Sequence, residues 1–278
     1  MPLPATQLFP VERHSLAGGV EQRDDPLATE EPLELRVNGR SVAVVMRTPG
    51  HDRELAAGFL ATEGVIRDAR DILDIVPCEF QRAADSTDSA PPPTGNVWDV
   101  LLAPHVTFDL ARLTRHVFTS SSCGLCGKAT IDAVRAEFPP QPPSPPPSAA
   151  LLSTLPARLR AAQPGFSLTG GLHASGLFDL AGQLLVARED VGRHNALDKV
   201  VGHALLASQL PLAGRILLVS GRVSFELVQK SLAAGIPCLA AISAPTTAAV
   251  ALARETGQTL VGFLRDGRMN VYAGTLTP

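Results

Sequence analysis

The sequence predicts an α/β protein in two parts: a small α+β unit, then a larger α/β unit with a largely parallel sheet flanked by helices. Three observations carry this. In the second half, apolar strand-like runs alternate with helix-like runs, the rhythm of parallel strands joined by right-handed crossovers. In the first half, two alternating runs meet across Asn38-Gly39, the strongest short hairpin signal, and a helix and two further strands follow. Between the halves lie a Ser/Gly/Cys stretch and a proline run that suit neither helix nor inner strand. At 278 residues the chain fits two domains of about 150 residues each. The expected division is an irregular N-terminal arm (1–29), the α+β unit (30–115) and the α/β unit (116–278).

In chain order, residues 1–29 are polar, with Gly18-Gly19 and Asp24-Asp25-Pro26, and predict a loose arm with at most a short strand. Leu33, Leu35 and Val37 alternate with polar residues, and Ser41 to Met46 returns across the Asn-Gly turn. Asp52 is placed to cap a helix that carries Leu55, Phe59 and Leu60 on one side and stops at Gly64. Asp71 to Val76 and Val97 to Leu102 read as strands, with a Ser/Asp/Pro-rich surface loop, Ala83 to Gly95, between them. Ile131, Val134 and Phe138 predict a helix from Thr130. The proline run from Pro139, taken as an insertion over 139–150, predicts exposed polyproline II.

Further on, Phe178 and Leu184 to Ala187 read as a hairpin across Ala181-Gly182, and Arg188 to Asn195 as a charged loop. A helix from Ala196 to Ala207 buries Leu197, Val200, Val201, Ala204 and Leu205, with Asn195 and Asp198 at capping-box spacing. The strand Ile216 to Val219 leads into Ser220-Gly221-Arg222-Val223-Ser224 and a helix from Phe225 that stops at Gly235. Ile236 to Ile242 is a strand, Pro245 opens a helix that Gly257 ends, and Thr259 to Leu264 pairs with Met269 to Tyr272 across Asp266-Gly267.

Composition excludes several functions. A net charge of −3 gives no reason to expect nucleic acid as a partner, and 4% aromatics do not make stacking platforms for single strands. Four cysteines with one tight pair fit a reducing compartment, not a disulfide scaffold. The N-terminus shows no basic region before an apolar run, and no stretch approaches the roughly 18 apolar residues of a spanning helix. The expected location is the cytoplasm, without membrane attachment.

The chemistry concentrates in Thr119 to Lys128, where Cys123 and Cys126 stand three positions apart. The pair precedes an expected helix N-terminus, and Lys128 follows; both favour thiolate over thiol. Gly124 and Gly127 let a partner approach the sulfur. Half of a zinc site, a thioredoxin-like redox pair and an inert thiol pair stay open beside a sulfur-carrying nucleophile. No second Cys-x-x-Cys is present, and Cys78 and Cys238 stand alone. A second candidate follows from topology. Ligands in such sheets sit beyond the carboxyl ends of strands, and Ser220-Gly221-Arg222 there offers small residues and a guanidinium to an anion. An ordinary strand-to-helix turn is the alternative, as a solvated ion-pair network is for Arg188, Glu189, Asp190, Arg193 and His194.

Four segments are similar to the formate dehydrogenase accessory sulfurtransferases, the FdhD family: Ser122 to Gly127, Thr169 to His173, Glu189 to Lys199 and Ser220 to Glu226, in that order. Glu54 to Leu60 with Glu63-Gly64 resembles the N-terminal half of that family. The resemblance implies a cytidine-deaminase-like fold for residues 116–278 and a homodimer. It also implies sulfur transfer, by way of a cysteine persulfide, from a cysteine desulfurase to the bis-molybdopterin guanine dinucleotide form of the molybdenum cofactor, which formate dehydrogenase requires. On this likeness Cys123 carries the persulfide, Cys126 is its partner, and Phe263, Leu264, Arg265, Asp266, Gly267 and Arg268 contact the cofactor. Arg222, Arg265 and Arg268 are the guanidinium groups expected at its phosphates. The zinc-deaminase pattern is missing, since His173 is followed by Ala174-Ser175 and Ser122 precedes Cys123, so no metal site is expected. A cofactor-binding chaperone with a structural or zinc-binding Cys-x-x-Cys is the alternative function.

Overall fold

The structure, a computed structural model, describes residues 5–16, 18–78, 95–107 and 144–278. Cys123, Cys126, the helix expected from Thr130 and most of the Ala83 to Gly95 loop lie outside the described residues.

The first half begins with a ribbon, β1 (Thr6–Ser15) and β2 (Gly19–Ala28), paired over ten antiparallel residue pairs. This corrects the irregular arm expected at 1–29. Most of its residues on both faces meet solvent, so no apolar alternation marks the strands. β3 (Glu31–Val37) and β4 (Arg40–Arg47) turn across Asn38 (φ 50°) and Gly39 (φ 78°), a two-residue turn with both φ values positive, as the Asn-Gly pair predicts. α1 (Asp52–Thr62) follows; its N-cap is His51 in the left-handed region, so Asp52 is the first helical residue, not the cap. β5 (Ile72–Pro77) and β6 (Val97–Leu102) complete a four-stranded sheet in the order β4-β3-β6-β5.

The second half opens with α2 (Ala149–Ala161) and α3 (Pro164–Thr169), neither of which the sequence reading anticipated. Ser148 caps α2 by accepting from Leu151 N at 3.0 Å, and Leu152, Leu155 and Leu159 form its buried stripe. The last residues assigned to the insertion are therefore the start of a helix. Of the proline run, residues 139–143 lie outside the described residues and Pro145 and Pro146 are exposed as expected, whereas Pro147 is buried; its carbonyl accepts from Thr277 N, and Ala149 N donates to Thr277 O. Next come β7 (His173–Phe178), β8 (Leu184–Asp190), α4 (Arg193–Leu206), β9 (Ile216–Val219), α5 (Phe225–Ala233), β10 (Cys238–Ala241), α6 (Thr247–Thr256), β11 (Thr259–Arg265) and β12 (Arg268–Ala273). The N-cap of α6 is Thr246, one residue past Pro245.

These strands form one sheet in the order β12-β11-β10-β9-β7-β8. Parallel pairing is confined to β9-β10-β11; β7 is antiparallel to both neighbours and β12 to β11. The sheet is thus mixed where a largely parallel one was expected. The tight turns of β7–β8 and β11–β12 allow only antiparallel pairing. The crossover through α4 then carries the chain over β7, so β8 and β9 are parallel but not adjacent.

α2 covers one sheet face, burying Leu152, Leu155 and Leu159 against Phe178, Ile216, Leu218, Val261 and Leu264. The other face shares one continuous apolar cluster with α4, α5, α6, α1 and the four-stranded sheet. α1 meets α4 through Gly58 and Gly202. A Cβ on Gly58 would collide with the Asp198 carbonyl, and one on Gly202 with the Glu54 carbonyl.

Buried ion pairs lock the same seam. Lys199 lies 2.7 Å from Asp190 and donates to Thr48 O, while Lys230 lies 3.0 Å from Asp198, which also accepts from Thr62 Oγ1. The charged segment from Arg188 is therefore in part a buried inter-element lock and not a solvated network. α4 begins at Arg193, before the expected Ala196, with Gly192 as N-cap. Asn195 makes no capping bond; its amide donates to Met46 O at 2.7 Å and to Asp190 at 2.9 Å.

Candidate functional site

Because β9, β10 and β11 are parallel, they end at one rim of the sheet, where helix N-termini and connecting loops gather. Ser220 to Ser224 leaves β9, Ser243 to Thr246 leaves β10, and Phe263 to Arg268 forms the tip of the β11–β12 hairpin. Backbone bonds join the three. Ile242 N donates to Val219 O, Val223 N to Ala244 O, Thr246 N to Val223 O and Phe263 N to Ser243 O, all at 2.9–3.1 Å. The sequence-predicted segments Ser220-Gly221-Arg222 and Phe263 to Arg268 thus share one rim.

β7 starts at the same rim. Ser220 N donates to Ala174 O at 2.9 Å, and Ala174 N donates to Ser220 Oγ at 2.9 Å. This pairing brings His173 beside Gly221. A Cβ at Gly221 would lie 3.2 Å from His173 Nδ1 and 3.4 Å from Arg193 Cδ, so the His173 ring and the Arg193 stem pack closely over this glycine. The first turn of α4 supplies Arg193 and His194. His194 Nε2 is 2.8 Å from a Glu226 carboxylate oxygen and 3.5 Å from Ser224 Oγ, which ties the first turns of α4 and α5 together.

The rim is electropositive. Burial, then the charges of Arg193, His194 and Arg222, hold the half-buried His173 below the ordinary imidazole pKa, with Asp190 opposing them. Arg193 Nε is buried and has no hydrogen-bond partner among the described residues. Arg222, Arg265 and Arg268 are exposed. At the hairpin tip, Phe263, Asp266 and Gly267 all have positive φ. Leu264 is 1% exposed and packs in the α2 cluster, so its side chain holds the hairpin and offers no face to a ligand.

His173, Arg193, His194 and Glu226 stood in recognisable segments but carried no assigned role in the sequence reading. Their meeting depends on the Ser220–Ala174 pairing, a contact between residues 46 apart. Gly221 between a strand and a helix was the one sequence signal that pointed to it.

At the opposite edge of the sheet, a cavity of about 270 Å³ lies between Pro147, Arg215, Pro237, Cys238, Thr259 and Gly274. Burial pushes the Cys238 thiol up to about 12, so it stays protonated and unreactive. Among the described residues, no three His, Cys, Asp or Glu side chains gather to hold a metal ion, and no helix is long and apolar enough to cross a membrane.

Known proteins resemble the chain over most of its length. The model of the FdhD/NarQ family matches residues 28–277. A "Sulfur carrier protein FdhD" from Streptomyces coelicolor is 55% identical over 264 residues, covering 92% of this chain and 90% of that protein. A protein of the same name from Mycobacterium tuberculosis is 50% identical over 262 residues, covering 94% of each. A crystal structure assigned to a formate dehydrogenase accessory protein from Desulfotalea psychrophila superposes with a TM-score of 0.74 at 26% identity, covering 98% of both chains. The fold is therefore that of the accessory protein, and the chain belongs to the FdhD/NarQ family.

Proposed function

We propose that this protein is a sulfur carrier for formate dehydrogenase maturation, taking persulfide sulfur from a cysteine desulfurase on Cys123 and passing it to the bis-molybdopterin guanine dinucleotide molybdenum cofactor. The supporting observation is the likeness, at 50–55% identity over nine-tenths of the chain, to proteins named as sulfur carriers. The exposed Arg222, Arg265 and Arg268 on one rim also support a phosphate-rich substrate. In the first step the Cys123 thiolate attacks the outer sulfur of the donor persulfide. A sulfur–sulfur bond forms at Cys123, and the donor cysteine leaves as a thiolate. Release of the outer sulfur at the sulfane level returns Cys123 to the thiolate, and the two electrons that take that sulfur to sulfide would come from the cofactor in a reduced state. Cys126 is the partner thiol. Arg222, Arg265 and Arg268 meet the cofactor phosphates, the last two from the Phe263 to Arg268 tip, beside Ser220 and Gly221. The working form is a cytoplasmic homodimer.

Mass spectrometry tests the assignment after incubation with a desulfurase and cysteine. Cys123 should gain about 32 Da, one sulfur. Cys123→Ala should abolish activation of formate dehydrogenase while leaving the fold and cofactor binding intact. Full activation by that variant would refute the reading. No adduct on the wild-type protein, with cofactor still bound, would instead favour a cofactor chaperone.

A further inference from the structure

We propose that the β1–β2 ribbon is an arm by which two copies of this chain associate, packing through the face that carries Phe9, Val11 and Leu27. The proposal rests on the homodimer of the proposed function and names its contact; it does not depend on the sulfur chemistry.

The ribbon is a sheet of its own, two strands and ten residue pairs. A lone two-stranded ribbon is marginally stable at best in water, because it has little apolar surface to bury. Here most residues of both faces meet solvent, and the body supports the ribbon at its base. There β2 rests on α3, and a Cβ on Gly171 would lie 3.6 Å from Ala28 Cβ. Leu8, Phe9, Leu16, Val20 and Leu27, in the strands and the turn between them, are large, apolar and at least 42% exposed. Apolar side chains gathered in water at this density mark a contact surface.

The strand edges do not invite the contact. Pro10 stands within β1 and Pro26 within β2. A proline cannot donate to a ladder, so each ring nitrogen faces outward, and each free edge lacks a donor that a further strand would need. The faces remain. Phe9, Val11 and Leu27 share one face with two positive side chains, Arg13 and Arg23, and two negative ones, Glu21 and Asp25.

Charge complementarity selects a second copy as the occupant. A two-fold contact sets a surface against itself, and a face with two charges of each sign can place arginine opposite carboxylate when it does so. Arg23 already pairs with Asp25 at 2.9 Å. Arg13 and Glu21 are register partners that form no ion pair with each other, which leaves both charges to meet opposite ones on the second copy. The other face carries Leu8, but its charged residues are Glu12 and Asp24, with no lysine or arginine to balance them. Set against itself, that face would bring like charges together. A strongly acidic or basic partner finds no complement on the neutral Phe9 face.

Sedimentation velocity of the full-length protein over a range of concentrations, with hydrogen exchange alongside, provides the test. The wild-type protein should be dimeric, and exchange of the β1 and β2 amides should slow as the dimer forms. Phe9→Glu should raise the dissociation constant by about tenfold or more, because it places a charge in the apolar centre of the contact. Leu8→Glu, at a more exposed neighbour on the other face, should leave it within about twofold. Arg13→Glu should weaken association, and adding Glu21→Arg should restore it, since swapped charges still complement each other across a two-fold axis. Where Phe9→Glu loosens the ribbon itself, the concentration dependence of wild-type exchange still decides the matter. A monomeric wild-type protein, a dimer whose ribbon exchanges as fast as the monomer's, or equal effects of Phe9→Glu and Leu8→Glu would overturn the proposal. Protection gained only on adding a cysteine desulfurase would also overturn it and assign the ribbon to that protein. The Cys123 adduct separates the two readings. A normal adduct on a monomeric protein removes this proposal alone, whereas a ribbon-mediated dimer without any adduct removes the sulfur reading alone.

Discussion

Lys230 shows what single residues do at the seam between the halves. Its ammonium is buried, which alone would favour the neutral amine. The carboxylates of Asp198 and Glu63 more than offset this and hold its pKa above the ordinary lysine value. Lys230→Met should therefore strand the Asp198 charge and destabilise the fold by about 3–5 kcal/mol. Adding Asp198→Asn should recover part of that loss; urea denaturation of the two variants makes the comparison. The lysine side of the pair contributes at neutral pH and is lost as pH rises through the elevated lysine pKa, while burial raises the Asp198 carboxyl, so at the acid end the pair is lost as that group protonates. Local residue signals were legible where they acted locally: Asn38-Gly39 and Asp266-Gly267 turn as their composition demands. Residues whose partners are distant misled. Asn195 carried capping-box spacing but spends its amide on Met46, 149 positions away.

At the scale of elements, the α1–α4 crossing is set by backbone contact at Gly58 and Gly202. Gly202→Ala should destabilise the protein by about 3 kcal/mol, the upper end for overpacking, because its Cβ meets a backbone carbonyl and has no side chain to push aside. Gly58→Ala in the same background should cost much less than additively, since the contact is already broken. Denaturant midpoints of the three variants check both statements. Strands β6 and β9 fell where apolar runs placed them, because burial fixes such segments. α2 was missed because flanking prolines hid a helix whose stripe of Leu152, Leu155 and Leu159 is clear only once the sheet face it covers is known. The β1–β2 ribbon was missed because its order comes from backbone pairing and not from a buried face.

For the whole molecule, the shared cluster from Leu33 and Leu60 through Leu197 and Val200 to Leu239 and Leu260 makes the two halves one cooperative body. Calorimetry should show a single transition with matching calorimetric and van't Hoff enthalpies. Two resolved peaks would mean that the seam is weaker than its packing indicates. The α/β class was legible because alternating elements dictate it, while the mixed sheet was not, because strand order depends on which crossover skips a neighbour.

The rim has a consequence for how this surface can change over generations. Its three loops are held together by main-chain atoms at Val219, Val223, Ser243 and Ala244. Side chains there can drift while the scaffold beneath them stays put, so a lineage could alter this surface without first having to reinvent the frame.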